Sequence, residues 1–234
     1  MNLVMFDMDG TLTDTTALDS NCYIDAIEQA LGLVKIETDW ESYPHASSSC
    51  CLEEIVRRAH GRDPTAAESR AVQDRMIELM EDLHRLHGRG TKEIPGAADC
   101  VRALQASGHA VAIASGDWQA TAHHKLSTAR IPFEALPAAF CEASHVRTEI
   151  MRMSLARAAT HHGREDFNRI VYIGDGAWDV RACREIGWPL IGIGSGAHGR
   201  RLRALGTSHV LPDFSDHTAF LEALAEATVP TLVP

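Results

Sequence analysis

Leu3-Val4-Met5-Phe6-Asp7-Met8-Asp9-Gly10-Thr11 runs four apolar residues straight into two acids and a glycine. A short apolar run bounded in this way reads as a buried strand that ends in a turn. Similar runs recur at 110–114, 138–141, 170–173, 190–193 and 209–211. Between them, 96–107, 119–130, 147–161, 177–186, 198–205 and 216–227 carry apolar residues at helical spacing. Several of these segments end at a glycine (Gly108, Gly187, Gly206), as helix C-termini commonly do. The alternation predicts an α/β fold: a doubly wound parallel sheet of Rossmann-like type with helices on both faces.

One interval breaks the rhythm. From residue 15 to 90 the pattern is helical, with amphipathic segments at 17–31, 51–59 and 65–87 and no strand. The expected organisation is therefore a core made of residues 1–14 and 91–234, with a helical module of residues 15–90 inserted into it. The turn Ile94-Pro95-Gly96 marks the return to the core.

The 234 residues are 45% hydrophobic and 23% charged, enough to bury a proper core. A formal net charge of -10 argues against a nucleic-acid or anionic-membrane partner but allows a small anionic substrate held by a few local groups. No apolar run reaches the roughly 20 residues of a membrane span, and Asp7 interrupts the start too early for a secretion signal, so a cytoplasmic protein is expected. Six scattered cysteines, including the vicinal Cys50 and Cys51, form no Cys-x-x-Cys pair and read as reduced packing residues. The pairs His123-His124 and His161-His162 lack partners at metal spacing, and Arg57 and Arg58 read as a solvated helix face.

Ligands of a parallel α/β sheet sit at the carboxyl ends of its strands. Those ends carry Asp7 and Asp9, then Ser115-Gly116-Asp117, then Arg147 after a loop, then Gly174-Asp175-Gly176-Ala177-Trp178-Asp179. A lone strand-end aspartate would read as a turn former or a helix cap. Carboxylates gathered from two strand ends instead repel one another unless a hard cation sits among them, and oxygen-only ligands select Mg²⁺ over zinc or copper.

These motifs resemble the haloacid dehalogenase superfamily, specifically its phosphatases with a helical cap of the phosphoglycolate phosphatase type. The resemblance rests on Asp7-x-Asp9-Gly10-Thr11, on Ser115 after an apolar strand, and on Gly174-Asp175 with Asp179 four residues later. It implies that Asp7 is a nucleophile forming an aspartyl phosphate and that Asp9 is the acid and base for the leaving alcohol and the attacking water. It further implies Mg²⁺ on Asp7, the main-chain carbonyl of Asp9 and Asp175, with Asp179 as a ligand or support. Thr11, Ser115 and Gly116 would hold phosphate oxygens.

In one respect the chain departs from the family, whose phosphate-holding lysine has no counterpart after the third strand. Arg147 takes that place, with Lys125 as the second candidate. The helical cap would select a small-molecule phosphate ester, with His45, Ser47 and Ser48 as candidate contacts and Trp178 at the mouth of the site. Asp9 sets this pattern apart from carbon-halogen hydrolases. A phosphomutase acting on a sugar phosphate and a non-catalytic binding protein on the same fold are the alternatives.

Overall fold

The computed structural model describes residues 1–88 and 90–232, without the side chains of Thr16, Ala17 and His87. Strand β1 (Leu3–Phe6) leads through the turn to a two-residue strand, β2 (Thr13–Asp14). Three helices follow: α1 (Thr16–Leu31), α2 (Ser48–His60) and α3 (Ala66–His87), with a 3-10 turn at Trp40–Ser42. The chain returns through β3 (Lys92–Glu93), α4 (Ala97–Ala106), β4 (Ala110–Ala114), α5 (Gln119–Thr128) and β5 (Ala138–Ala139). It ends with α6 (Arg147–His161), β6 (Ile170–Gly174), α7 (Ala177–Ile186), β7 (Leu190–Ile193), α8 (Gly196–Ala204), β8 (His209–Leu211) and α9 (His217–Glu226).

Six strands form one sheet in the order β5-β4-β1-β6-β7-β8, and every pairing in it is parallel. The α/β reading therefore holds. β1 is central and buried on both faces, which is why it is wholly apolar. Its side chains alternate with the two-residue period of a strand. Leu3 and Met5 join the core containing Ile150 and Met151 of α6 and Val180 of α7. Val4 and Phe6 join the opposite core with Val101 of α4, Leu126 of α5 and Phe220 of α9.

Between β2 and β3, α1 packs on α3, with Cys22, Tyr23, Ala26 and Ile27 meeting the i, i+4 series Val72, Met76 and Met80. α3 starts from a capping box of Thr65 and Glu68. β2 and β3 pair antiparallel where the chain leaves the sheet and returns to it, a contact too short for sequence periodicity to register.

Smaller differences have local causes. The strand expected over 138–141 stops at Ala139, because the Cys141 amide donates to the Asp117 carbonyl at 3.0 Å rather than to a ladder. α2 begins at Ser48, three residues before the helical segment expected over 51–59, and Cys50 and Cys51 are buried helical residues. All six cysteines are free and buried. No helix among the described residues is long and apolar enough to cross a membrane.

Candidate active site

Asp7 continues the line of β1, its amide donating to Ile173 O at 2.8 Å. The chain then folds back on the Met8 carbonyl, which accepts from the amides of Leu12 (2.8 Å) and Thr13 (3.0 Å). Gly10 makes this possible: its φ is +75°, and a β-carbon there would lie 2.1 Å from Asp175 Oδ2. The turn thus brings the first strand's acids against those of β6.

Two groups of carboxylates result among the described residues. In the first, Asp7, Asp175 and Asp179 offer one oxygen each within 4.8 Å of one another. In the second, Asp9, Asp19 and Asp117 do the same. Among the described residues each group holds one arginine or lysine, and His198 Nε2 lies 3.7 Å from Asp175 Oδ2 in the first. Arg147 Nη2 lies 2.5 Å from Asp7 Oδ2 and 2.7 Å from Asp179 Oδ1. Asp179 Oδ2 meanwhile accepts from the Gly176 amide at 2.9 Å, which pins it at the start of α7. Lys125 Nζ lies 2.7 Å from an oxygen of each of Asp9, Asp19 and Asp117, with its side chain fully buried.

The two groups differ in what is left over. Lys125 sits among all three carboxylates of the second group. Asp117 Oδ2 of that group makes no hydrogen bond but has the Lys125 ammonium 2.7 Å away, whereas in the first group Asp175 Oδ1 is buried with no hydrogen bond, as is Thr11 Oγ1 in the turn that follows Asp7. A buried oxygen without a partner is costly. An all-oxygen group with one orphaned carboxylate atom fits Mg²⁺, so the first group is the one whose residues suit a metal. Asp9 points its carboxylate away from it, accepting from Lys125 and from Thr15 Oγ1. Any share Asp9 takes in a metal would fall to its main-chain carbonyl.

Electrostatics follow burial. Burial, opposed by Arg147, raises Asp7 to about 7. It lifts Asp175 well above the carboxylate range, reinforced by the charges of Asp7 and Asp179. Burial also raises Asp19 to about 7 and lifts Asp117, in each case against the pull of Lys125. Desolvation disfavours the Lys125 ammonium, but Asp117, Asp19 and Asp9 outweigh it and hold its pKa well above the usual lysine value.

A cavity of about 150 Å³ opens onto both groups. Asp7, Asp9, Ser115, Gly116, Arg147, Asp175, Ser47, Ser48 and Trp178 line it. Thr11 and Asp179 lie behind the wall, each fully buried. His45 is absent from the wall, and its ring sits 5.8 Å from that of His145. Lys125 does not line it either: enclosed by three carboxylates, its ammonium has no free face toward a phosphate.

The start of α2 is bound to the β4 end. Ser48 N donates to Gly116 O at 2.8 Å, Ser48 Oγ to Asp117 Oδ1 at 3.2 Å, and Ser47 Oγ to His145 O at 3.1 Å. Gly116 must lack a side chain, since a β-carbon would stand 2.5 Å from Ala46 O. Trp118 Nε1 adds a bond to Ser49 Oγ at 3.0 Å.

Sequence reading missed Asp19, Ser20, Tyr23, Trp40 and Cys51 in the wall and Asp117 as a charge partner. One signal was available: Lys125 falls between Ala122 and Leu126 on the buried face of α5, where a lysine requires acidic partners. Arg57 and Arg58 pair with Glu54 at the surface, as expected of a solvated face.

The model for haloacid dehalogenase-like hydrolases matches residues 1–187. A phosphoglycolate phosphatase of Mesorhizobium japonicum is 24% identical over 223 residues, covering 94% of each chain. Among solved structures, a hydrolase from Pseudomonas syringae superposes with a TM-score of 0.72 at 19% identity, covering 96% of this chain and 99% of the other. CbbY from Rhodobacter sphaeroides, solved in complex with phosphate, gives 0.66 at 20% identity over 92% and 95%.

Proposed function

The chain belongs to the haloacid dehalogenase-like hydrolases, and from that membership we propose that it is a Mg²⁺-dependent phosphatase acting on a small-molecule phosphate monoester through an aspartyl phosphate. The observation that carries the reading is Asp7 in the cavity wall beside Arg147 and Asp175, with the second acid, Asp9, in the same wall.

In this mechanism an Asp7 oxygen attacks phosphorus and the ester P–O bond breaks. Asp9 gives its proton to the departing alcohol oxygen. It then takes a proton from the water that attacks the aspartyl phosphate, which releases inorganic phosphate and restores Asp7. Arg147 reaches Asp7 and the cavity together, so its guanidinium is placed to draw in phosphate oxygens while staying anchored on Asp179. Ser115 and the Gly116 backbone would receive the remaining phosphate oxygens. Mg²⁺ bound by Asp7, Asp175 and the Asp9 carbonyl, with Asp179 in support, would offset the negative charge of Asp7 and of the transferring group. The helical segment, 15–90, acts as a cap that excludes water and selects the alcohol, with the Ser47-Ser48 start of α2 over the phosphate end.

The test is phosphate release from a generic aryl phosphate, with Mg²⁺ and after chelation. Activity should require the metal and return on its re-addition; equal release in chelator would remove the metal from the mechanism. Arg147→Ala should lower kcat/KM by about 10²–10³-fold, the usual cost of losing a preorganised charge at a phosphoryl group. Near-parent turnover of that variant would take the phosphate-holding role away from Arg147.

A further inference from the structure

The cavity wall carries charge unevenly. Arg147 is the one cation among the described residues that line it, and it is already engaged by Asp7 and Asp179 at the phosphate end. Of the described residues that the helical segment contributes, Asp19 alone is charged, and it is an acid. Its side chain keeps 26% of its surface exposed, with Oδ1 on Lys125. Lys125 does not offset this end of the cavity, because three carboxylates share its single charge. Beside Asp19 stand the rings of Tyr23 and Trp40, 5.6 Å apart and edge to face.

A carboxylate or second phosphate on the alcohol would find no cation in this part of the wall among the described residues, since Lys125 lies behind it, and would meet Asp9, Asp19 and Asp117 instead. An ammonium would meet one accessible carboxylate and aromatic rings, the surroundings that such a group prefers. A cavity of about 150 Å³ is also small beside the ~300–1,000 Å³ of sites for drug-sized ligands.

We propose that the alcohol part of the substrate is small and carries no negative charge, and that Asp19 makes a cationic amino alcohol the best occupant. This deepens the phosphatase reading and rests on it. It also separates this chain from its phosphoglycolate phosphatase relative, whose name specifies an alcohol bearing a carboxylate.

Three two-carbon monoesters differ mainly in the charge at the far end: phosphoethanolamine, ethylene glycol monophosphate and phosphoglycolate. Their kcat/KM should be measured on the full chain with Mg²⁺, and esters too slow to follow ranked by Ki against an aryl phosphate. The expected order is ammonium, hydroxyl, carboxylate, with at least about tenfold between the first and last. In Asp19→Asn that ratio should shrink at least about threefold, and because it is a ratio, a general loss of folded enzyme does not move it. Phosphoglycolate equal to or better than phosphoethanolamine overturns the proposal and leaves the phosphatase reading intact, as does a ratio unchanged in Asp19→Asn. Failure of all three esters and of the aryl phosphate overturns both.

Discussion

Asp7→Asn should lose at least about 10³-fold in kcat, because an amide has no anionic oxygen to attack phosphorus and no neighbour can stand in for it. The substitution keeps the shape of a side chain that is 5% exposed. The backbone hydrogen bond to Ile173 does not depend on it. The variant should therefore remain folded by circular dichroism while turnover disappears. Since one negative charge leaves the group formed with Asp175 and Asp179, the assay belongs at saturating Mg²⁺. Acid quenching of the parent during turnover of a labelled ester should trap phosphate on protein, and the variant should trap none. A variant retaining a tenth of parental kcat would contradict the covalent route, even if hydrolysis itself proved metal-dependent.

The second large effect is on stability. Lys125→Met should cost about 3–5 kcal/mol in urea unfolding, the range found when one partner of a buried charge cluster is removed. The methionine fills most of the volume, so the cost arises from charge. Asp117, at 3% side-chain exposure, would stay buried beside Asp9 and Asp19 without the ammonium 2.7 Å from each. The loss should depend on pH in a definite sense. Burial already raises Asp19 to about 7 and lifts Asp117 with the lysine present. Removing Lys125 can only raise them further. An acid whose pKa is higher folded than unfolded supports the fold at low pH and withdraws that support as pH climbs through the folded value. The deficit of the variant should thus be greatest above pH 8 and shrink toward pH 5. Adding Asp117→Asn to Lys125→Met should recover part of it, which a double-mutant cycle would measure as coupling. A deficit below 1 kcal/mol at pH 8 would mean that these three ion pairs contribute little.

The sheet and the positions of its acids were legible along the chain because both depend on local pattern. A strand buried on two faces has to be apolar throughout, and β1, β4 and β7 are, so their bounds match the apolar runs. Acids just past such runs fall at the strand ends where ligands sit, which is how Asp7, Asp9 and Asp175 were singled out. Arg147 was legible as a position before a helix, though its simultaneous grip on Asp7 and Asp179 was not.

The second charge group was invisible for a different reason. Lys125 meets Asp19 across 106 residues and Asp9 across 116, and no periodicity links residues so far apart. The cavity wall had the same obstacle. His45, Ser47 and Ser48 share one stretch of chain, yet the start of α2 turns the serines onto Gly116 and His145 and leaves His45 outside the cavity, while Asp19, Tyr23 and Trp40 enter it from elsewhere. Sequence alone settles the α/β sheet and the acids along its edge, since burial and strand ends are properties of short segments. The charge that balances those acids, and the surface of the cavity beside them, arise only when distant segments pack, because ion pairing and cavity shape depend on distance in space.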